Sequence, residues 1–248
     1  MDDKLDLELE LAREPVFNGG AALIRPIVYS QTKKRPIPEA RLKEKKVIST
    51  QETGAVADAF KILRTQLIHR LEENNWNAIG ITSPREGEGK TLTAINLAIS
   101  FSSISERTVL LIDSDFKKPG IQAIFSLDEK GLVNYLLDED PLEELLINPG
   151  IDRLVILPTG RPIPNSSDLI VSSKMLRMVR EVKLRYKERI VFFDLPPLLP
   201  SSDVLSLSPH LDAILLVIES GKTEEKDLIQ SMERLKGIPI IGTVLNKV

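Results

Sequence analysis

Apolar positions in this chain fall into two alternating patterns. Short runs at 77–82, 108–113, 153–158, 189–194, 212–218 and 238–245 are apolar nearly throughout. Runs of this kind, rich in Val, Ile, Leu and Phe, are expected of strands buried on both faces. Between them, apolar residues recur at helical spacing in 92–101, in 173–187 and in a stretch starting near Thr223. Two shorter helical pieces are expected within 131–147, joined at Asp138-Glu139-Asp140-Pro141. Residues 53–68 read as an amphipathic helix leading into the first strand, with Asp58, Lys61 and Arg64 on one charged face. The alternation predicts an α/β fold: a parallel β-sheet flanked by helices on both faces. In such a sheet ligands collect beyond the carboxyl ends of the strands.

Residues 1–50 follow neither pattern, and they are expected to form a flexible N-terminal tail and linker ahead of one domain at 51–248. Leu5, Leu7, Leu9 and Leu11 alternate with Asp6, Glu8 and Glu10, a period of two that suits an edge strand or a docking segment as well as a disordered acidic tail. Farther on the tail turns basic, with Lys33, Lys34, Arg35, Arg41, Lys43, Lys45 and Lys46 against Glu39 and Glu44. Pro26, Pro36 and Pro38 exclude a long helix there. Such a stretch can meet anionic headgroups or an acidic partner, or serve as solvated linker.

Composition narrows the class. The 248 residues suffice for one substantial core, and 42% hydrophobic with 28% charged residues places the chain among soluble globular proteins. Without cysteine there is no disulfide framework, thiolate nucleophile or zinc ribbon. His69 and His210, the only histidines, sit in a charged helical stretch and beside a strand start, where structural or solvated roles are expected. A net charge of −3 argues against a nucleic-acid coat. No apolar run reaches transmembrane length and the acidic start is no signal peptide, so a cytoplasmic protein that meets the membrane through a partner is expected.

The chemistry is concentrated in Ser83-Pro84-Arg85-Glu86-Gly87-Glu88-Gly89-Lys90-Thr91, between the first strand and the helix after it. Gly87 and Gly89 let successive N–H groups and a helix N-terminus face an anion. Lys90 can neutralise β- and γ-phosphate charge, and the Thr91 hydroxyl can hold Mg²⁺. The first glycine of the usual G-x-x-x-x-G-K-[ST] pattern is replaced by Pro84, which weakens the bare pattern but not its strand–loop–helix setting. Arg85, Glu86, Gly87, Glu88, Gly89, Lys90, Thr91 and Leu92 are therefore the candidate nucleotide-binding set. Carboxylates stand at two further strand ends: Asp113 and Asp115 in Ile112-Asp113-Ser114-Asp115-Phe116-Lys117-Lys118, and Asp194 in Phe193-Asp194-Leu195-Pro196-Pro197. One strand-end aspartate can merely cap a helix. Three beside a Gly-Lys-Thr loop are what Mg²⁺ on a phosphate chain needs, with Thr91, Asp113, Asp115 and Asp194 as candidate ligands. One of these acids can also accept the proton of an attacking hydroxyl or water. Lys117 and Lys118 can meet phosphate, a neighbouring subunit or surface carboxylates.

From about residue 48 to 248 the chain resembles the bacterial tyrosine kinases of polysaccharide export. They are a branch of the deviant Walker A (MinD/ParA-like) phosphate-loop ATPases that includes the partitioning and division-site ATPases. The resemblance rests on Gly87–Thr91, on Asp113-Ser114-Asp115-Phe116-Lys117, on Asp194-Leu195-Pro196-Pro197 and on Gly242-Thr243-Val244-Leu245-Asn246. Leu146–Gly150 and Leu157–Pro162 look most like the exosortase-associated autokinase branch. It implies ATP and Mg²⁺ as cofactors, Asn246 as reader of the adenine, Asp113 as base toward a tyrosine hydroxyl and Lys90 as its catalytic partner. The Asp58, Lys61, Arg64 helix is similar to the family's Glu-x-x-Arg-x-x-Arg oligomerisation helix. The resemblance further implies a membrane chain-length-determinant protein as activator and a homo-oligomer. The chain departs from the family in lacking a C-terminal tyrosine cluster, its tyrosines being Tyr29, Tyr135 and Tyr186, and in carrying Lys117 where the family has Arg. Two other readings stand beside the kinase. One is a partitioning-type ATPase acting in a dimer, for which Arg85 would replace a lysine; the other is a non-catalytic ATP-binding adaptor.

Overall fold

The computed structural model describes residues 32–104, 107–127, 130–185 and 188–248. The Leu5–Leu11 alternation, Tyr29 and Tyr186 lie outside the described residues. The chain begins there with β1 (Lys33–Lys34), α1 (Glu39–Glu44), α2 (Ala55–Asn74), β2 (Ala78–Thr82), α3 (Lys90–Ser102) and β3 (Thr108–Asp113). Three short helices follow, α4 (Ile121–Phe125), α5 (Leu132–Leu136) and α6 (Leu142–Leu145), then β4 (Ile147–Asn148) and β5 (Leu154–Leu157). The second half contains α7 (Ser167–Ile170), α8 (Ser173–Leu184), β6 (Arg189–Asp194), α9 (Asp203–Leu207), β7 (Ala213–Glu219), α10 (Glu225–Arg234) and β8 (Ile240–Asn246).

The strands form one sheet in the order β1-β4-β5-β3-β6-β2-β7-β8. Its pairings are parallel except β4 with β5, which is antiparallel. Period-2 alternation sorts the strand residues into two cores. Ile79, Ile81, Val109, Leu111, Phe192 and Leu215 pack with α2 and α3 on one face. Ala78, Leu110, Ile112, Val191, Phe193 and Ile214 pack with α5, α8 and α9 on the other. Phe101 of α3 meets Phe192 edge-on, with ring centroids 5.2 Å apart. Burial on both faces is why β2, β3, β5, β6 and β7 show no polar alternation in sequence, whereas the edge strand β8 is only partly covered.

The structure extends the packed region toward the N-terminus. The 33–50 stretch, expected to be flexible linker, lies against the domain. Lys33 and Lys34 pair with Ile147 and Asn148, and Leu42, Val47 and Ile48 are buried in the first core. Asn96 of α3 fastens it: Oδ1 accepts the Ile48 N–H at 3.0 Å, and Nδ2 donates to the Lys46 carbonyl at 3.3 Å. The Arg41 guanidinium adds donors to the Ala123 and Ile124 carbonyls. No helix among the described residues is long and apolar enough to cross a membrane.

Candidate nucleotide site

Residues 83–89 connect β2 to α3, and the sheet order places them between the ends of β6 and β7. Gly87 and Gly89 both adopt positive φ, 82° and 95°. Only glycine enters that region cheaply, and Gly89 is doubly required because a Cβ there would lie 2.1 Å from Asn246 Nδ2. Leu195 N donates to the Ile81 carbonyl, Leu198 N to Ser83 and Leu199 N to Pro84, so the Asp194-Leu195-Pro196-Pro197 stretch runs beside the loop's entry.

Asp115 and Asp194 converge on Lys90, with Asp113 beside Asp194. Asp113 and Asp194 are opposite one another in the β3–β6 register. Lys90 Nζ lies 3.0 Å from Asp115 Oδ2, 3.6 Å from Asp194 Oδ1 and 3.3 Å from Thr91 Oγ1. Burial acts against the charged ammonium, but Asp194, Asp115 and Asp113 outweigh it and hold its pKa at about 12. Asp113 is fully buried, and its two oxygens accept the main-chain N–H groups of Asp115 (3.1 Å) and Ile121 (3.0 Å). Burial, with Asp194 adding to it, pushes its carboxyl up to about 7. Burial also pushes Asp194 up, against the pull of Lys90.

Both oxygens of Asp194 are buried without a close hydrogen bond, the nearest cation being Lys90 Nζ at 3.6 Å from Oδ1. A buried carboxylate so loosely satisfied is an exception among folded proteins and has acceptor capacity to spare for a cation. Among the described residues no three His, Cys, Asp or Glu side chains cage a metal by themselves. Mg²⁺ fits this donor set all the same, because it is usually held by one or two carboxylates and by substrate phosphate. Thr91, Asp115 and Asp194 are the side chains that would hold it. Gly120, which the sequence reading passed over, brings the loop after β3 onto Thr91: a Cβ there would lie 2.8 Å from Thr91 Cγ2.

Other candidates brace the loop instead of facing a ligand. Glu88 is buried, its carboxylate accepting the Arg85 N–H at 2.7 Å and the Thr223 hydroxyl. The Arg85 guanidinium grips Asp227 of α10 through Nε and Nη2. Asn246 Nδ2 donates to the Glu88 carbonyl at 2.9 Å, and Lys247 Nζ to the Gly87 carbonyl at 2.7 Å. Glu86 is exposed and pairs with Lys118 at 2.6 Å, while Leu92 packs against the first core. Thr223, Asp227 and Lys247 carried no motif; they reach the loop from the turn after β7, from α10 and from just past β8.

The α2 face is less uniform than its spacing suggested. Lys61 and Asp58 are exposed and paired at 2.9 Å, but Arg64 turns inward and donates to the Ser100 carbonyl of α3 at 2.6 Å. Tyr135 is half-buried in α5 with the Lys174 ammonium 4.4 Å from its ring centroid. His69 lies exposed beside Glu73, and His210 lies exposed ahead of β7, as expected of solvated histidines.

Residues 79–248 match the CobQ/CobB/MinD/ParA nucleotide binding domain. The chain is 30% identical over 210 residues to the tyrosine-protein kinase YwqD of Bacillus subtilis, covering 84% of this chain and 87% of that one. It is 30% identical over 193 residues to the tyrosine-protein kinase CpsD of Streptococcus agalactiae, covering 76% and 82%. Among solved structures, the kinase domain of the Escherichia coli tyrosine kinase ETK superposes with a TM-score of 0.74 at 26% identity, covering 90% of this chain and 91% of that one.

Proposed function

This chain belongs to the bacterial tyrosine-protein kinases within the CobQ/CobB/MinD/ParA nucleotide-binding family, and from that premise we propose that it moves the γ-phosphoryl group of ATP onto tyrosine as a cytoplasmic regulator of exopolysaccharide synthesis or export. The observation that carries the reading is the buried Lys90 ammonium, shared between Asp115 and Asp194 at the mouth of a glycine-shaped loop.

Loop N–H groups and the α3 N-terminus receive the phosphates. Lys90 would exchange its carboxylates for phosphate oxygens, and Thr91, Asp115 and Asp194 would hold Mg²⁺. When bound, the metal neutralises charge on the phosphates. Asp113 is the proposed proton acceptor, since a carboxyl pushed up to about 7 is matched to proton transfer near neutral pH. Because it is sealed in the ground state, it serves only once the loop at 114–120 moves toward the acceptor. Catalysis is then chiefly positioning and charge neutralisation. Activation by a membrane chain-length-determinant protein, and assembly of like copies through the exposed Asp58 and Lys61, belong to the same proposal.

The test is phosphotyrosine formation with ATP and Mg²⁺ by wild type, Lys90→Met and Asp113→Asn, with and without cytoplasmic ends of candidate membrane partners. Phosphotyrosine that both substitutions abolish is the expected result. Phosphate release without phosphotyrosine would replace the kinase with a partitioning-type ATPase, and tight ATP binding with neither product would replace it with an adaptor.

A further inference from the structure

Two adjacent lysines string the loop after β3 between its neighbours. Lys118 reaches back to Glu86 of the phosphate loop, both side chains being exposed. Lys117 reaches the other way, its Nζ 3.6 Å from Oδ2 of Asp203 in α9. That second contact differs in kind. Asp203 is 1% exposed, and its carboxylate is fixed by the Ser166 hydroxyl at 2.6 Å and the Ser167 hydroxyl at 3.2 Å. Its own N–H donates to Ser201 Oγ at 3.2 Å. A buried carboxylate held this firmly is a rigid anchor, whereas the lysine it faces is 40% exposed. At 3.6 Å the attraction is electrostatic without a hydrogen bond, so the N–H donors of Lys117 stay available.

The anchor's place gives it a use. Lys117 follows Asp115 by two residues, and Asp203 opens α9, the first helix after Asp194 at the end of β6. The pair therefore ties the loop that carries Asp115 to the helix that follows Asp194. We propose that Asp203 is a positioning residue for phosphoryl transfer, holding Lys117 beside the Asp115 loop so that its ammonium meets the transferring phosphoryl group. This rests on the kinase reading above. Serine hydroxyls fix the carboxylate, the carboxylate aims the ammonium, and the ammonium supplies charge that counts only as phosphate charge shifts.

The experiment compares wild type with Lys117→Met, Lys117→Arg, Asp203→Asn and the Lys117→Met/Asp203→Asn double variant. It reads kcat and KM for ATP in phosphotyrosine formation, phosphate release, and the thermal midpoint. Lys117→Met is expected to lower kcat about 100-fold and Asp203→Asn about 10-fold, with KM for ATP within about threefold. The double variant should be no slower than Lys117→Met, because Asp203 acts through Lys117. Lys117→Arg should recover most of kcat. Additive losses, an unchanged kcat in Lys117→Met, or an Asp203→Asn defect confined to the thermal midpoint would each overturn the assignment. Should Asp203→Asn fail to fold, Ser166→Ala and Ser167→Ala loosen the carboxylate without removing it, and the same pattern is required of them. Absence of phosphotyrosine in wild type would defeat the kinase reading alone, since phosphate release by the same variants still decides whether Asp203 acts through Lys117.

Discussion

Replacing Asp113 by Asn puts a number on the buried carboxylate pair. In the folded protein the Asp113 carboxyl is pushed up to about 7 from an ordinary 3.8, first by burial and then by Asp194. A separation of about three pH units corresponds to ~4 kcal/mol of folding free energy. The sign follows from the raised value. The folded state binds the proton more tightly, so the contribution is fully present below the unfolded value near 3.8 and is lost as pH rises through about 7. Asn at this position does not titrate, but its NH₂ must face one of the two N–H donors, from Asp115 or Ile121, that the carboxylate accepts. That leaves a buried main-chain N–H unpaired, at ~1–3 kcal/mol at every pH. The two effects cross. Near pH 4 the variant should be less stable than wild type by ~1–3 kcal/mol, and near pH 8 more stable by a similar amount. Urea unfolding at the two pH values, with m unchanged, measures the difference directly. Parallel pH profiles for the two proteins would refute the reasoning, because the charge would then not be felt at position 113.

Three further outcomes follow from single contacts. Gly89→Ala should abolish nucleotide binding measured by calorimetry while the fold persists, because a Cβ collides with Asn246 and φ is 95°. Asn96→Leu strands the buried Ile48 N–H and the Lys46 carbonyl, so it should cost ~2–4 kcal/mol in thermal unfolding and speed hydrogen exchange at Ile48. Arg85→Met should quicken exchange in α10, where the buried Asp227 carboxylate loses its partner, yet change ATP affinity less than about threefold, because the guanidinium is spent on α10. Loss of turnover with unaltered ATP affinity would instead mean that Arg85 works on phosphate across a dimer.

The sequence was most legible where one physical cause acts alone. β2, β3, β6 and β7 are covered on both faces, so burial writes them as unbroken apolar runs, and the carboxylates stand at the ends of those runs. Where a residue's role depends on a partner far along the chain, local pattern carries no trace of it. Lys33 and Lys34 look like solvated linker because the pairing that makes them a strand is main-chain hydrogen bonding to residues 146–148. Leu42, Val47 and Ile48 are apolar residues among lysines, and only Asn96 of α3 fixes where they go. Arg64 has the spacing of a contact face but finds the Ser100 carbonyl within reach. The site divides the same way. Its loop residues, Gly87, Gly89, Lys90 and Thr91, form one motif because they shape a single connection from β2 to α3 and so sit close in sequence. The groups that brace them come from the turn after β7 (Thr223), from α10 (Asp227) and from the end of β8 (Asn246 and Lys247), while Gly120 comes from the loop beyond β3 and Asp203 from the start of α9. A parallel sheet brings every strand's carboxyl end to one edge, so the support for a loop read in nine consecutive residues is necessarily spread over the whole chain.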